Sequence, residues 1–297
     1  MKTMVCIGGV DESLPTLQFG TWFATKIATE ILLLYVEKES SLTFKKETEI
    51  AFEKLLEWNL DLPAIRILRM AMKRLEEVGL LKLVKGKPKI VHDLRKIGDA
   101  WQLCLKSFQN QDICFKTRQG NIVEQLLQEN RDNHSDLLIV GASQRRRLLP
   151  KIVTFVDSSI LIIKNLIDHR YEILIATDGS EAAHRAEYVA IKTAQYFERR
   201  LTFLSVVNSE SERERIEVHL KRMSAIAAKK KIELAVEIKT GNAVEEIIKS
   251  AGDRKIIFVG ESGRNLIKQY FLGSKVLKLC KKAESPIFIV KKHSRYK

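Results

Sequence analysis

The feature that most constrains the fold of this chain is an internal repeat, because several local patterns occur twice in the same order. A glycine–asparagine turn leads into a short helical pattern and then into an apolar run that ends in glycine, first over 120–141 and again over 241–260. Flanking segments also match, as 4–13 with 173–180 and 159–164 with 286–291. The sequence therefore predicts two copies of one domain, residues 1–168 and 169–297.

The size and composition of the chain fit two globular domains. With 297 residues, 45% apolar and 30% charged, the chain is too long for one small core and shows no bias towards disorder. Its apolar runs are far shorter than the ~20 residues that cross a bilayer. Its first residues lack the longer apolar run of a signal peptide. We therefore expect a cytoplasmic protein without a membrane span.

In the second copy, short apolar runs alternate with helix-length segments, a pattern typical of βαβ units around a parallel sheet. The strands are almost continuously apolar, as expected when helices cover both faces of the sheet. Strands are predicted near 171–177, 201–207, 233–239, 255–260 and 286–291, and helices near 181–198, 212–230, 242–251 and 274–283. The predicted fold class is α/β, with two tandem doubly wound, Rossmann-like parallel sheets. In such sheets ligands bind beyond the carboxyl ends of the strands where the strand order reverses, here after the first and fourth strands.

A glycine-rich loop follows the fourth of these strands. It reads Gly260-x-x-Gly263, then nine residues, then Gly273-Ser274 at the start of a predicted helix. The first two glycines permit positive φ and bring bare backbone close to an anion, and the N-terminus of a helix favours phosphate. The loop is therefore predicted to hold a phosphate chain from both ends.

Asp178 follows the first strand of the same copy. Its carboxylate can accept hydrogen bonds from sugar hydroxyls or from the adenine amino group, and it lies across the same predicted crevice as the glycine loop. The other interpretation is a cap or turn residue for the helix that follows. Because the carboxylate and the loop occur together, we favour the ligand role.

Residues 171–292 resemble a universal stress protein domain of the nucleotide-binding subgroup, related in fold to the adenine nucleotide alpha hydrolases. The resemblance rests on Asp178, the Gly241-Asn242 turn, the G-x-x-G-(x9)-G-S loop and the closing strand 285–290. It implies bound ATP or AMP, with or without Mg²⁺. It also implies an intrachain pseudo-dimer in which the two copies meet through their last strands, and it leaves room for a further homodimer. The residues that it places against adenine and ribose are Ala176, Thr177, Asp178, Val206 and Val207, and those against the phosphates are Gly260, Ser262, Gly263, Gly273, Ser274, Lys275 and Val276.

The first copy lacks the phosphate loop. After Gly141 it continues through a basic run, 145–147, without a second glycine or a Gly-Ser pair. By resemblance it is a degenerate stress-protein domain, and we predict that it binds no nucleotide. It also carries an insertion over about 45–83, whose apolar spacing predicts amphipathic helices. The part over 67–84 is similar to the helix and strand of winged-helix DNA-binding proteins, but no complete three-helix unit precedes it, so packing or partner binding is favoured.

The net charge, the cysteines and the histidines give little indication of a further function. The net charge of +14 attracts polyanions, but the basic runs lack interleaved aromatic residues, so nucleic acid is an unlikely partner. The cysteines are scattered without a CxxC pair, which favours reduced, buried thiols over a disulfide or a zinc site. Two histidines, His184 and His219, fall in predicted helices and are expected at the surface.

No P-loop or nucleophile elbow occurs in the sequence and no histidine–carboxylate pair is assigned to a metal, which favours a binding module over an enzyme. The leading hypothesis is a stress-response protein that binds ATP or AMP in its second domain and thereby changes its association with an unknown protein partner. The second is a slow ATPase or phosphotransferase that uses Ser274 or a metal-bound water, with Glu261 or Asp178 as the base. The third is a basic polyanion-binding protein.

Overall fold

A computed structural model describes residues 1–8, 14–37, 63–98, 100–142, 148–164, 171–261 and 274–292, without the side chains of 63–65, 92, 93 and 274. Contacts within the chain group it into two compact units, Met1–Ser135 and Asp136–Lys297. The predicted repeat boundary at 168 falls within 165–170, outside the described residues. The last two strands of the first repeat therefore pack in the same unit as the second repeat.

The first unit contains a sheet in the order β1-β2-β7-β6-β5, in which β1, β2 and β7 are parallel and β6 and β5 continue antiparallel. Its strands are β1 (Lys2–Ile7), β2 (Glu30–Glu37), β5 (Ile90–Ile97), β6 (Ala100–Lys106) and β7 (Asp112–Gln119). A separate antiparallel pair consists of β3 (Leu83–Val84) and β4 (Lys87–Pro88). The helical segments are a π-helical turn (Thr16–Gly20), α1 (Thr21–Ile27), α2 (Pro63–Glu77) and α3 (Ile122–Asp132).

The segment between β2 and β7 contains strands as well as a helix. The helical prediction for the insertion is confirmed for α2, whereas 45–62 lie outside the described residues. The antiparallel strands β3 to β6 lie at or beyond the end of the predicted insertion and were not predicted, because the internal repeat offers no counterpart for them in the second copy.

The hairpin of β6 and β7 also overturns the prediction of reduced cysteines. Antiparallel pairing places Cys104 directly opposite Cys114, and the two form a disulfide. The spacing of ten residues carries no motif, so the pair becomes recognisable only when the hairpin register is known. Cys6 and Cys280 are reduced and buried, as predicted.

The second unit contains a sheet in the order β12-β11-β10-β13-β14-β9-β8. From the first repeat come β8 (Leu137–Gly141), α4 (Leu149–Phe155) and β9 (Ser159–Ile163). The second repeat supplies β10 (Glu172–Ala176), α5 (Glu181–Phe197), β11 (Leu201–Val206), α6 (Glu210–Lys229), β12 (Leu234–Lys239), α7 (Ala243–Ala251), β13 (Lys255–Gly260), α8 (Ser274–Lys282) and β14 (Ile287–Val290). Every strand and helix predicted for this repeat is confirmed, with ends that differ by at most a few residues.

Local sequence explains where the helices of the second repeat begin. The side chain of Ser180 caps α5 by accepting the Ala183 N–H, and Asn242 caps α7 by accepting two N–H groups of its first turn. Consecutive residues of β10 and β13 are fully buried, so both faces of the sheet are covered, as the continuous apolar runs predict.

The strand order reverses between β10 and β13, which are parallel neighbours in the centre of the sheet. This order and the helices around it make the domain a doubly wound α/β fold. On the other side of β13, β14 pairs antiparallel with β9, so the last strands of the two repeats meet as predicted. Buried Lys291 holds this junction, because its ammonium group donates to the Val153 carbonyl at 2.7 Å and to the Glu261 carboxylate at 2.8 Å.

Candidate functional site

The candidate site lies at the carboxyl ends of β10, β11 and β13, where the strand order reverses. Ile175 pairs with Phe258, and continuing this register by two residues brings Gly260 level with Thr177. Ala176 is the last residue of β10 and Val206 the last residue of β11, on the neighbouring strand. The predicted residues on these three strands therefore share one edge of the sheet.

Gly260 is required for a different reason than the sequence suggests. Its φ is not positive. A Cβ atom at this position would lie 2.1 Å from the Ala182 carbonyl oxygen and 2.4 Å from its carbonyl carbon. The glycine thus lets the first turn of α5 pack directly on the end of β13. Gly260 does not use the positive φ that glycine permits, and helix packing explains the glycine.

The turn after β10 has a defined hydrogen-bond pattern. The carboxylate of Asp178 accepts the Ser180 N–H at 2.9 Å, and the hydroxyl of Thr177 accepts the Gly179 N–H at 3.2 Å. Gly179 has φ +69°, which favours glycine. Because Ser180 is the helix cap, Asp178 does not cap α5, and its carboxylate is exposed.

The predicted site residues differ in how accessible they are. Ala176 and Val206 are half-buried, whereas Thr177, Val207 and Val276 are buried. Lys275 is exposed near the start of α8. Ser262, Gly263 and Gly273 lie outside the described residues, as does the side chain of Ser274.

Glu261, one of the two candidate bases, is engaged elsewhere. It immediately follows β13, and its carboxylate pairs with the ammonium of Lys291 at 2.8 Å. Its N–H donates to the Val290 carbonyl at 2.9 Å. Because this carboxylate is held by Lys291 and not directed to a ligand by any described contact, the structure gives no support to Glu261 as a base.

A cluster of two histidines and one glutamate next to Thr177 was not predicted from the sequence. Glu187 of α5 is fully buried, and its carboxylate accepts the Thr177 hydroxyl and pairs with the His219 Nε2 atom at 2.7 Å. The imidazole of exposed His184 stacks on that of His219, with ring centroids 4.7 Å apart. The prediction of a surface residue therefore holds for His184 but is wrong for His219, which is largely buried between helices. The expectation of no histidine–carboxylate metal pair is also wrong, because His184-x-x-Glu187 is such a pair, spaced by one helical turn, and this spacing was the available signal.

The first unit contains a cleft of its own, a cavity of 460 Å³ lined by Ile97, Ala100, Lys116, Arg118, Gln125 and Gln128. Its two cations are already paired with carboxylates, since both contact the buried carboxylate of Glu129 at 2.5 to 2.8 Å. Arg118 also lies 3.5 Å from Asp132. The cleft is therefore not an open anion site.

Among the described residues, no helix is long and apolar enough to cross a membrane.

Comparisons with known proteins agree with this architecture. Residues 171–291 match the model of the universal stress protein family. A curated universal stress protein of Methanocaldococcus jannaschii is 27% identical over 149 residues, covering 44% of this chain and 88% of the relative. The crystal structure of a universal stress protein from Archaeoglobus fulgidus superposes with a TM-score of 0.62 at 15% identity, covering 98% of this chain and 96% of the other. A putative universal stress protein from Pseudomonas aeruginosa gives 0.61 at 15% identity, with 98% and 93% covered. These structural matches show that the fold is shared across both repeats.

Proposed function

Because residues 171–291 of this chain form a universal stress protein domain, we propose that the second repeat binds an adenine nucleotide, ATP or AMP, at the carboxyl ends of β10, β11 and β13. The observation that carries the proposal is the convergence of the Thr177–Gly179 turn and Gly260 where the strand order reverses. That edge is where open α/β sheets bind their ligands.

Each part of the edge has a role in this proposal. The exposed carboxylate of Asp178 accepts hydrogen bonds from ribose hydroxyls or from the adenine amino group. Ala176, Val206 and Val207 provide the apolar wall around the base. The phosphates, with Mg²⁺ when it is bound, lie against the glycine-rich loop and the start of α8, through the residues from Gly260 to Val276 named above.

The test of the base and ribose side is calorimetric titration of the nucleotide-stripped, full-length protein with ATP and Mg²⁺. Asp178→Asn keeps an acceptor oxygen for the Ser180 N–H but loses the charge, so the turn is preserved. Loss of a hydrogen bond to a charged group costs about 1.5–3 kcal/mol, and we expect ATP to bind about 10- to 100-fold more weakly. The matched control is Asp253→Asn, because Asp253 is an exposed aspartate in the turn before β13, at the opposite edge of the sheet.

The phosphate side is tested by the double variant Gly273→Val and Ser274→Ala, which should abolish binding. The first repeat is tested by the stoichiometry of the same titration, because a fragment 1–168 would separate β9 from its partner β14. Binding of one ATP per chain fits a first repeat that binds no nucleotide, and binding of two ATP per chain would contradict it. If no ATP binds, the glycine-rich loop is a turn and not a phosphate site.

The regulatory part of the proposal is that nucleotide occupancy changes association with a protein partner. Its test is the recovery of partners by the immobilised full-length protein, with and without ATP and against the Asp178→Asn variant.

A slow ATPase would instead be indicated by ATP turnover that survives purification and is lost in Gly263→Ala.

Polyanion binding remains a second candidate function because two elements of the first unit expose basic side chains. The helix α2 exposes Arg66, Arg69 and Lys73 at helical spacing, and the β3–β4 hairpin exposes Lys85 and Lys87. Each phosphate contact to duplex DNA adds about 0.9 to the slope of log affinity against log salt.

The double variant Lys85→Gln and Lys87→Gln should therefore lower that slope for a DNA duplex. The control is the double variant Lys221→Gln and Lys229→Gln, which removes the same charge from exposed positions on α6. It should leave the slope unchanged. A DNA affinity that does not change with salt concentration would exclude polyanion binding as a function.

A further inference from the structure

Two histidines and a glutamate form a cluster that the proposed nucleotide site does not use. His184 and Glu187 lie one turn apart on α5, and His219 approaches them from α6. One potential ligand atom from each residue lies within 4.8 Å of the other two. The cluster therefore brings together three metal-binding side chains from two helices.

The carboxylate of Glu187 is incompletely satisfied. Its Oε1 atom accepts the Thr177 hydroxyl and pairs with the His219 Nε2 atom. Its Oε2 atom is buried and has no hydrogen-bond partner. A buried carboxylate oxygen without a partner is costly to the folded state. The arrangement is thus stabilised by any cation that reaches this oxygen.

The donor set selects the type of cation. Two imidazoles and one carboxylate suit zinc and neighbouring transition metals, whereas Mg²⁺ and Ca²⁺ favour sites made only of oxygen. Among the ion pairs of the described residues, Glu187 pairs only with His219. The carboxylate contributes one negative charge to the donor set, which favours a dication.

The geometry lies close to that of a zinc site. Ligand atoms at 2.0–2.1 Å from a tetrahedral zinc are about 3.3 Å from one another. The pair formed by Glu187 and His219 would open from 2.7 Å, and the farthest ligand atoms would close from at most 4.8 Å. His219 lies beside the turn after β10, since a Cβ on Gly179 would lie 3.9 Å from its ring. Exposed His184 can supply most of the movement by rotating its side chain.

We propose that His184, Glu187 and His219 bind one divalent transition metal ion, with zinc as the best match. The fourth position faces the solvent side of α5, where His184 is exposed, and a water molecule completes the tetrahedron. Because Thr177 donates to the same carboxylate, the metal lies one hydrogen bond away from the turn after β10. The site does not depend on the proposed nucleotide function.

The test is zinc titration of chelator-treated, full-length protein with the Cys104–Cys114 disulfide intact and without nucleotide. Three variants remove one ligand each: His184→Ala, Glu187→Gln and His219→Ala. Since loss of a residue that only orients a ligand already weakens metal binding 10- to 100-fold, loss of a ligand should weaken zinc binding at least about 100-fold. The control is His134→Asn, because His134 lies in the first unit with φ +50°, a conformation that asparagine tolerates.

The melting temperature is the second measurement, because Glu187→Gln could weaken zinc binding through loss of folding. His184 is exposed, so His184→Ala should keep the melting temperature of the metal-free protein and lose only the increase that zinc produces. Co²⁺ bound to the wild type should show the strong visible absorption of a tetrahedral site. Zinc affinity in His184→Ala equal to that of the wild type would overturn the proposal. So would equal weakening in His134→Asn, or a preference of the wild type for Mg²⁺ over zinc.

Discussion

Replacing Gly260 by alanine should destabilise the second unit strongly, although it adds a single methyl group. The new Cβ would lie 2.1 Å from the Ala182 carbonyl oxygen and 3.0 Å from the Ala183 nitrogen. Both are backbone atoms in the first turn of α5 and cannot rotate away. To reach an ordinary contact of about 3.4 Å, β13 or α5 must shift by about 1.3 Å.

The expected magnitude follows from this shift. Overpacking costs about 1–3 kcal/mol and sometimes more, and a clash with rigid backbone belongs at the upper end, at about 3 kcal/mol. For a unit of this size, each kcal/mol lowers the melting temperature by about 2–4 °C, so a decrease of about 6–12 °C is expected. The same shift moves the turn after β10 and should weaken nucleotide binding.

The assay is denaturant unfolding of the full-length variant, followed by fluorescence and circular dichroism to detect separate transitions of the two units. Gly241→Ala is the control, because nothing lies within 4 Å of the added Cβ there and only the cost of φ +118° is measured. Adding Ala182→Gly should not rescue Gly260→Ala, since the clash involves the backbone. A loss below about 0.5 kcal/mol for Gly260→Ala would refute the packing argument.

Three further changes test other parts of the structure. Burial raises the pKa of the Cys280 thiol to about 11, so the native protein should react slowly with a thiol reagent at pH 8. Because Cys104 and Cys114 are disulfide-bonded, the unfolded protein should show two reactive thiols without reductant and four with reductant. Glu129→Gln leaves the two half-buried cations of the first unit without their carboxylate and should cost about 1–3 kcal/mol in denaturant unfolding, less than a fully buried pair because water reaches both. Burial acts to raise the pKa of Glu237, but the hydrogen bonds from Ser250 and Lys239 and the lysine charges lower it overall. The stabilising contribution of this carboxylate is present above its ordinary pKa near 4.5 and is lost as the pH falls through the lower folded value. Glu237→Gln should therefore reduce stability at pH 7 and have a smaller effect at pH 3.

The strands and helices of the second repeat could be predicted because their signals are local. Continuous apolar runs indicate buried parallel strands, and the capping residues Ser180 and Asn242 mark where helices begin. The strand order also followed, since right-handed crossovers leave few arrangements. Asp178 and Gly260 were therefore placed at the correct edge from their positions in the sequence.

The features that could not be predicted depend on residues far apart in the chain. Cys104 meets Cys114 only through the register of a hairpin, and Glu187 meets His219 only because α5 packs beside α6. Gly260 was recognised, but its reason was wrong, because a glycine beside a helix and a glycine with positive φ look the same in a sequence.

The junction of β9 and β14 connects the internal repeat to the candidate site. Lys291 follows β14 and donates both to the Val153 carbonyl of the first repeat and to Glu261, the second residue of the glycine-rich motif. The N–H of Glu261 also bonds to Val290, so this residue is held by backbone and side chain alike. The start of the glycine-rich motif is therefore positioned by the pairing of the two repeats, and a single repeat would lack the Val153 contact that orients Lys291. The contact of Lys291 with Val153 is therefore a contribution of the first repeat to the second that does not require a phosphate motif in the first.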